Sequence, residues 1–169
     1  MVIWWRAFLH GGAPCRAPTT LYRPAEDCCC LLSGGLDSLA GLLTLVSDER
    51  RPCPVSQVAA GDKHHQREFA RAAAAGDSHI QLNHNSRCMV CLAYGVMAAT
   101  SLARWERGDG CELVIPENGF IALNPPLTRQ RLGALRTRTT HPAFLAGIQS
   151  VLDAADLRVT LSNPFRYLT

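Results

Sequence analysis

The chain has 169 residues, a formal net charge of +3 and a hydrophobic fraction of 47%, values that are typical of one globular domain with a substantial core. No apolar stretch reaches the roughly 20 residues that cross a bilayer, and the apolar run Met1–Leu9 lacks a basic segment and a cleavage site. We therefore expect neither a membrane anchor nor a signal peptide, and a cytoplasmic protein. The charge is too small to indicate a nucleic-acid partner.

Strand-like and helix-like patterns alternate along most of the chain. We interpret residues 1–27 as an N-terminal extension or edge element, since glycines and prolines interrupt them, and residues 28–169 as one domain. Strands are predicted at 28–32, 54–59, 79–83, 112–116 and 157–161, and helices near 38–47 and at 64–75, 88–105 and 143–155. The last helix is predicted to bury Phe144, Ile148, Val151 and Leu152. This alternation predicts right-handed crossovers and a parallel sheet with helices on both faces, which is an α/β fold.

The most informative stretch is the sequence SGGLDS at 33–38, between the first predicted strand and the first predicted helix. Adjacent glycines let backbone N–H groups approach an anion, and the N-terminus of the following helix favours negative charge. Asp37 would repel a phosphate unless a cation such as Mg²⁺ lay between them. The stretch is not a Walker A motif, because no Gly-Lys-Ser/Thr follows it. The alternative interpretation is an incidental glycine turn.

The cysteines and histidines have simple structural interpretations. Three consecutive cysteines, Cys28 to Cys30, lie in the first predicted strand, where neighbouring side chains face opposite sides, and we expect them to be small buried hydrophobes. Cys88 and Cys91 have the spacing of a metal-ligand pair, but no second pair follows at a suitable distance, so we interpret them as helix core positions. Four histidines are interpreted as surface or capping residues rather than ligands: His64, His65, His79 and His84.

A family resemblance follows from motifs spread over the chain. The pattern SGGxDS resembles the pyrophosphate loop of the N-type ATP pyrophosphatases, which cleave ATP between its α and β phosphates. The chain also carries ENG at 117–119, NPPLT at 124–128, RLG at 131–133, TRTTHP at 137–142 and NPF at 163–165. With these motifs, residues 22–169 are similar to the QueC-like proteins, in particular to the branch found in bacterial anti-phage systems of the Qat and CBASS kinds. This resemblance implies a Rossmann-like PP-loop fold of the adenine nucleotide alpha hydrolase kind.

The resemblance also implies a reaction. QueC adenylates the carboxylate of 7-carboxy-7-deazaguanine with release of pyrophosphate; ammonia then gives an amide, and a second activation gives the nitrile. ATP and Mg²⁺ are the implied cofactors. In the CBASS branch the implied acceptor is an amine of a partner protein, and QueC-like proteins resemble homodimers. The family carries a four-cysteine Zn²⁺ site near its C-terminus, so we expect the complete protein to have a zinc-binding part after Thr169 and further residues near Asn85.

Site residues follow from the same resemblance, each with an ordinary structural alternative. The implied nucleotide site consists of Ser33, Gly34, Gly35, Leu36, Asp37, Ser38, Val58 and Lys63. Asp37 and Ser38 are the implied catalytic residues, with Asp37 holding Mg²⁺. A carboxylate beside a purine-like ring calls for bidentate arginines, hydroxyl donors and a polar edge. The implied substrate contacts are therefore Arg87, Glu117, Asn118, Arg131, Arg136, Arg138, Thr139, Thr140 and His141. The alternatives are a solvated helix start at Lys63, a salt bridge at Arg87, an asparagine turn at 117–118 and a solvated basic loop.

Two other functions stay open at this point. A tRNA-thiolation enzyme would use a catalytic cysteine pair, for which Cys88 and Cys91 are the candidates, together with a strongly basic surface that the net charge does not indicate. A catalytically silent nucleotide-binding subunit of a defence system would also retain the SGGLDS stretch. Release of pyrophosphate separates the adenylating enzyme from the silent subunit.

Overall fold

The computed structural model describes residues 24–57, 63–73, 78–82, 89–119 and 141–166. Its centre is a five-stranded sheet of β1 (Cys28–Leu31), β2 (Pro52–Gln57), β3 (Ile80–Leu82), β4 (Cys111–Val114) and β5 (Val159–Ser162). The helices are α1 (Leu36–Ser47), α2 (Lys63–Ala72), α3 (Met89–Ala99), α4 (Ala103–Glu106) and α5 (Pro142–Ala154). The strand order is β3-β2-β1-β4-β5, and every neighbouring pair is parallel. The predicted α/β fold with a parallel sheet is confirmed, and its arrangement is Rossmann-like.

The consecutive cysteines of β1 pack on both faces of the sheet. Cys29 belongs to the core that contains Leu92 of α3, while Cys28 and Cys30 belong to the core that contains Leu42 of α1. All three cysteines are fully buried. Helices therefore cover both faces of the sheet, as a parallel sheet requires, and the prediction that these cysteines are small buried hydrophobes is confirmed.

The prediction of one long helix over 88–105 is wrong. The chain forms α3, leaves the helix at residues 100–102 and then forms the short α4. The hydroxyl groups of Thr100 and Ser101 both donate to the carbonyl oxygen of Met97 at 2.9 Å, and such bonds compete with the helical pattern. Leu102 is extended, with ψ 145°, and is fully buried. The break therefore lets the chain bury Leu102 against the core.

The buried stripe of α5 differs from the prediction at one position. Phe144, Ile148 and Leu152 pack against the core, but Val151 is 62% exposed. Leu145 packs against the core as well. At about 100° per residue, Leu145 lies on the Leu152 side of the stripe and Val151 on the opposite side. The buried face is therefore turned towards Leu145, and the prediction of an inward Val151 is wrong.

The strand order changes direction beside β1, and this positions a crevice. From β1 the chain moves outwards through β2 and β3, and it then crosses to the other side of β1 to form β4. Loops at the carboxyl ends of β1 and β4 therefore diverge, which is where ligands bind in open α/β sheets. Within the described residues, we find no helix with both the length and the apolar character needed to cross a membrane.

Candidate functional site

The chain turns sharply after β1, at residues 33–35. Gly34 has φ +92°, a left-handed conformation that residues with a side chain rarely adopt. Gly35 occupies the N-cap position of α1, and no side chain caps this helix. The first backbone N–H groups of α1 therefore have no intrahelical acceptor, and the positive end of the helix dipole lies beside them. Leu36, the first helical residue, is 82% exposed, so the start of this helix is open to solvent.

Two serine hydroxyls stabilise this turn from within. Ser33 Oγ accepts from the backbone N–H of Gly35 at 3.3 Å and donates to Ser38 Oγ at 3.1 Å. Ser38 Oγ in turn donates to the carbonyl oxygen of Gly35 at 2.8 Å, and Ser38 is buried while Ser33 is exposed. In this conformation Ser38 holds the turn, and Ser33 is the hydroxyl that a ligand can reach. The predicted contact of Ser38 with pyrophosphate stays a prediction.

Gln66 of α2 contacts the turn from another element. Its side chain is only 1% exposed, and Nε2 donates to the carbonyl oxygen of Ser33 at 3.2 Å. Its Cγ lies 3.4 Å from the position that a Cβ on Gly34 would occupy. No sequence motif marks Gln66, so it was not among the predicted site residues. One signal was present: Gln66 is a polar residue on the buried stripe that continues through Phe69, Ala70 and Ala73.

Two carboxylates lie on the two sides of the crevice. Asp37 is the second residue of α1, and Glu117 follows β4. Burial raises the pKa of Glu117, and the nearby Asp37 carboxylate raises it further. Neither carboxylate forms an ion pair with another described residue. The two groups therefore repel each other, and a divalent cation between them would relieve this repulsion.

The donor chemistry of this carboxylate pair suits Mg²⁺ better than zinc. Within the described ranges no group of three or more histidine, cysteine or acidic side chains surrounds a common point. Zinc sites normally take three or four such protein ligands. Mg²⁺ is often bound by one or two carboxylates and completes its shell with water and substrate phosphates. Two carboxylates are the kind of protein donor set that Mg²⁺ takes.

Asn163 fixes the backbone of Glu117. Its Nδ2 donates to the carbonyl oxygen of Glu117 at 2.9 Å, and its Oδ1 accepts from the N–H groups of Glu117 at 3.4 Å and Phe165 at 2.9 Å. The register of β4 with β5 ends where Val114 pairs with Ser162. The side-chain amide of Asn163 extends this pairing beyond the strands. The NPF motif at 163–165 therefore has a positioning role that the sequence did not indicate.

The close approach of α1 to the chain after β4 supports the same geometry. A Cβ at Gly41 of α1 would collide with the ring of Pro116 and would lie 3.6 Å from Phe165. Gly41 therefore allows the helix that carries Asp37 to lie directly against the residue before Glu117. This contact holds the two sides of the crevice together.

The remaining predicted residues divide into two groups. His141 is the N-cap of α5, where Nδ1 accepts from the N–H of Ala143 at 3.1 Å, so it has a structural role; its substrate contact stays a prediction. Asn118 is half-buried beside Glu117, and Lys63 begins α2; their ligand contacts also stay predictions. The other predictions lie outside the described residues: residues 1–23 of the extension predicted at 1–27, Val58, His84, Arg87, Cys88, the basic loop with Arg131, Arg136, Arg138, Thr139 and Thr140, and the segment after 166.

His79 differs from the predicted surface or capping residue. It is half-buried, and its Nε2 lies 2.8 Å from Ser56 Oγ. Burial, and then the positive charge of Arg67, lower the pKa of His79 to about 4. A serine beside a histidine resembles part of a nucleophilic dyad, but Ser56 is only 1% exposed and Arg67 opposes formation of the imidazolium ion. The pair is therefore structural.

The described residues define a Rossmann-like α/β protein with a glycine turn and an uncapped helix N-terminus at the carboxyl end of β1. No model of a known protein family matches the chain, and no curated protein matches it either. The resemblance to QueC-like proteins therefore rests on the motifs at 33–38, 117–142 and 163–165.

Proposed function

We propose that this protein is an ATP pyrophosphatase of the QueC type, which adenylates the carboxylate of a 7-deazaguanine such as 7-carboxy-7-deazaguanine. One observation carries the proposal: the SGGLDS turn lies at the crevice between β1 and β4, with Gly34 at positive φ and the N-terminus of α1 without a side-chain cap. Backbone N–H groups arranged in this way are suited to hold phosphate groups.

The first step transfers the AMP part of ATP to the substrate. A carboxylate oxygen of the deazaguanine attacks the α-phosphorus, the bond from that phosphorus to the bridging oxygen breaks, and pyrophosphate leaves. Negative charge accumulates on the leaving group, so fixed N–H donors at the turn and at the start of α1 stabilise the transition state. Ser33 Oγ supports this arrangement by accepting from the N–H of Gly35 and donating to Ser38 Oγ. The turn is held by internal hydrogen bonds before ATP binds, so little reorganisation is needed.

The carboxylate pair supports a metal-assisted version of this step. Asp37 and Glu117 would hold Mg²⁺, and the mutual repulsion between them is consistent with a site that is completed by a cation. Bound Mg²⁺ would neutralise charge on the phosphate oxygens. Asn163 keeps the backbone of Glu117 in place, and the packing at Gly41 keeps α1 beside it. A resident zinc ion has no corresponding ligand set in the described ranges.

The second step consumes the acyl-adenylate. An amine nitrogen attacks the acyl carbon, AMP leaves, and the nitrogen loses a proton to give an amide. The amine is ammonia or, as in the CBASS relatives that the sequence resembles, an amine of a partner protein. The basic segment with Arg131 and Arg138 would hold the substrate carboxylate through bidentate contacts. A cytoplasmic, homodimeric enzyme of an anti-phage system is the setting that this resemblance favours.

The test is an ATP-cleavage assay with the full chain and Mg²⁺, with and without 7-carboxy-7-deazaguanine. We expect AMP and pyrophosphate, formed only when the deazaguanine is present. ADP and phosphate as products would overturn the proposed reaction. Binding of ATP without turnover would favour the silent nucleotide-binding subunit. RNA binding that weakens steeply with salt, without substrate-dependent AMP, would favour the tRNA-thiolation alternative.

A further inference from the structure

Gln66 reaches the glycine turn from α2, a helix that carries no part of the SGGLDS motif. Its side-chain Nε2 donates to the carbonyl oxygen of Ser33 at 3.2 Å. Its Cγ packs 3.4 Å from the place where Gly34 would carry a Cβ. The contact joins residues that are 33 positions apart in sequence, so it depends on the pairing of β1 with β2 and on the position of α2.

This hydrogen bond sets the direction of a neighbouring N–H group. The peptide unit that joins Ser33 to Gly34 is trans and planar, so its C=O and N–H groups point in opposite directions. Because the carbonyl oxygen of Ser33 is turned towards Gln66, the N–H of Gly34 is turned away from α2. The positive φ of Gly34 continues the chain from this peptide into the N-cap of α1.

The energetics of Gln66 agree with a specific role. Gln66 is 1% exposed, and its position belongs to the same helix face as the buried residues Ala70 and Ala73. An amide at a buried position loses its hydrogen bonds to water, and this loss is unfavourable unless the protein replaces them. The bond to Ser33 is one such replacement, and it acts on the turn that the proposed reaction uses.

We propose that Gln66 is a positioning residue for the glycine turn at 33–35. It fixes the Ser33–Gly34 peptide so that the N–H of Gly34 donates to the pyrophosphate part of ATP. Gln66 itself touches no substrate. The inference rests on the proposed function, because only the proposed reaction identifies pyrophosphate as the acceptor of this N–H group. It adds a residue that the motif does not contain.

The experiment compares Gln66→Met with a matched control, Gln149→Met. Methionine keeps the length and volume of glutamine but removes the N–H donor. Gln149 performs a similar task far from the turn: its Nε2 donates to the carbonyl oxygen of Val159 at 3.0 Å, and its Oε1 accepts from the N–H of Leu161 at 2.8 Å. For each protein we would measure the dissociation constant of pyrophosphate and the KM values of the two substrates, ATP and the carboxylated deazaguanine.

We expect Gln66→Met to weaken pyrophosphate binding about tenfold, as loss of one well-placed hydrogen bond does. The KM of ATP should rise by a similar factor, while the KM of the deazaguanine stays within about twofold, because only the glycine turn at 33–35 is altered. Gln149→Met should lower the melting temperature and leave all three constants unchanged. Equal changes in both KM values, or a loss of pyrophosphate affinity in Gln149→Met that equals the loss in Gln66→Met, would overturn the inference.

A measurement on the unmodified protein keeps the inference testable even if Gln66→Met does not fold. The amide proton resonance of Gly34 should move downfield when pyrophosphate is added, because its N–H then donates to a charged acceptor. A Gly34 resonance that stays in place while pyrophosphate binds would overturn the role of Gln66 and leave the proposed function standing. An unmodified protein that binds neither ATP nor pyrophosphate would overturn the proposed function, and this inference with it.

Discussion

Charged groups are arranged in opposite ways at the two edges of the parallel sheet that the amino and carboxyl ends of its strands form. At the amino-terminal edge, charges of opposite sign meet: the guanidinium of Arg50 lies 2.6 Å from a carboxylate oxygen of Glu112 and 3.7 Å from one of Asp27. Asp27 also accepts from the backbone N–H of Arg51 at 3.1 Å, and Arg104 donates to its carbonyl oxygen at 3.1 Å. These contacts tie β1 to β2 and to β4.

At the carboxyl-terminal edge, charges of the same sign meet. Asp37 raises the pKa of Glu117, and Asn163 holds the backbone of Glu117 near this unfavourable neighbour. A fold that places repelling carboxylates at the start of a helix and after a neighbouring strand loses stability there, and proteins keep such arrangements mainly at functional sites. The opposite charges at the amino-terminal edge neutralise each other, whereas the like charges at the carboxyl-terminal edge do not, and this difference supports the proposed binding of a cation and an anionic ligand there.

The largest expected effect comes from exchanging one aspartate at each edge. Asp37→Asn should lower substrate-dependent release of pyrophosphate about 100- to 1,000-fold, because a preorganised electrostatic group is lost, and it should leave the fold intact. Asp27→Asn should leave this rate nearly unchanged and lower the free energy of unfolding by about 1 kcal/mol, because contacts at a structural edge are weakened. Steady-state assays and urea unfolding of both variants check this. Equal activities in the two variants would contradict the comparison of the edges.

The next effect is the pH dependence of stability. His79 and Glu117 both have shifted pKa values, so their contributions to this pH dependence must be measured separately. The pKa of His79 is about 4 in the folded protein and 6.5 in the unfolded chain, so the unfolded chain takes up the proton first as pH falls. The stability that neutral His79 contributes is complete above pH 6.5, and about 3 kcal/mol of it is lost as pH falls to 4. Urea unfolding of His79→Gln from pH 7 to pH 4 should show a much flatter dependence. An unchanged slope would show that His79 is not responsible.

A smaller effect is expected from the packing that holds the two sides of the crevice together. Gly41→Ala places a methyl group against Pro116 and should lower the free energy of unfolding by about 1–3 kcal/mol, as overpacking does. It should also weaken ATP binding, because α1 must move away from Glu117. The matched variant Gly147→Ala meets no atom within 4 Å and should raise stability by about 0.5–1 kcal/mol, since alanine favours a helix. Destabilisation of both variants by the same amount would contradict this account.

The smallest effect tests the repulsion itself. Glu117→Gln removes one of the two carboxylates and should raise the free energy of unfolding by about 0.5 kcal/mol at pH 7 without Mg²⁺, while it raises the Mg²⁺ concentration needed for turnover. The sign follows from the raised pKa of Glu117. The folded state binds the proton of the Glu117 carboxyl more tightly than the unfolded chain does, so the contribution of Glu117 to stability falls as pH rises above 4.5. Unfolding at pH 7 in a His79→Gln background measures it. Lower stability in Glu117→Gln would mean that the carboxylate is stabilising.

Much of the fold was predictable because it depends on local patterns. Apolar runs such as Cys28–Leu31 form buried strands wherever helices cover both faces of a sheet, and the alternation with helices implies a parallel arrangement. The start of β2 was not predictable, because proline removes a ladder donor. Pro52 and Pro54 are tolerated since β3 joins β2 only from Val55 onwards, and this depends on the length of a different strand.

The site was predictable only where one short segment forms it. The turn at 33–38 could be read from adjacent residues, and the structure has it at the carboxyl end of β1. The proximity of Asp37 to Glu117 joins residues far apart in sequence, and it follows from β4 lying beside β1. Gln66 and Asn163 act through their side-chain amides on backbone groups of other segments. No local pattern predicts such contacts, because they depend on the completed sheet.

The cysteines of β1 give this protein a built-in chemical reporter. Cys28, Cys29 and Cys30 are fully buried, and burial raises the pKa of Cys28 and of Cys30, in the latter to about 12. Alkylating reagents attack the thiolate form, so these thiols react only when the centre of the sheet opens. Mass spectrometry of the peptide around β1 can follow the rate at which iodoacetamide modifies these cysteines. This rate therefore measures the opening of the sheet at its central strand. Repeating the measurement with ATP or pyrophosphate shows how strongly each ligand suppresses that opening.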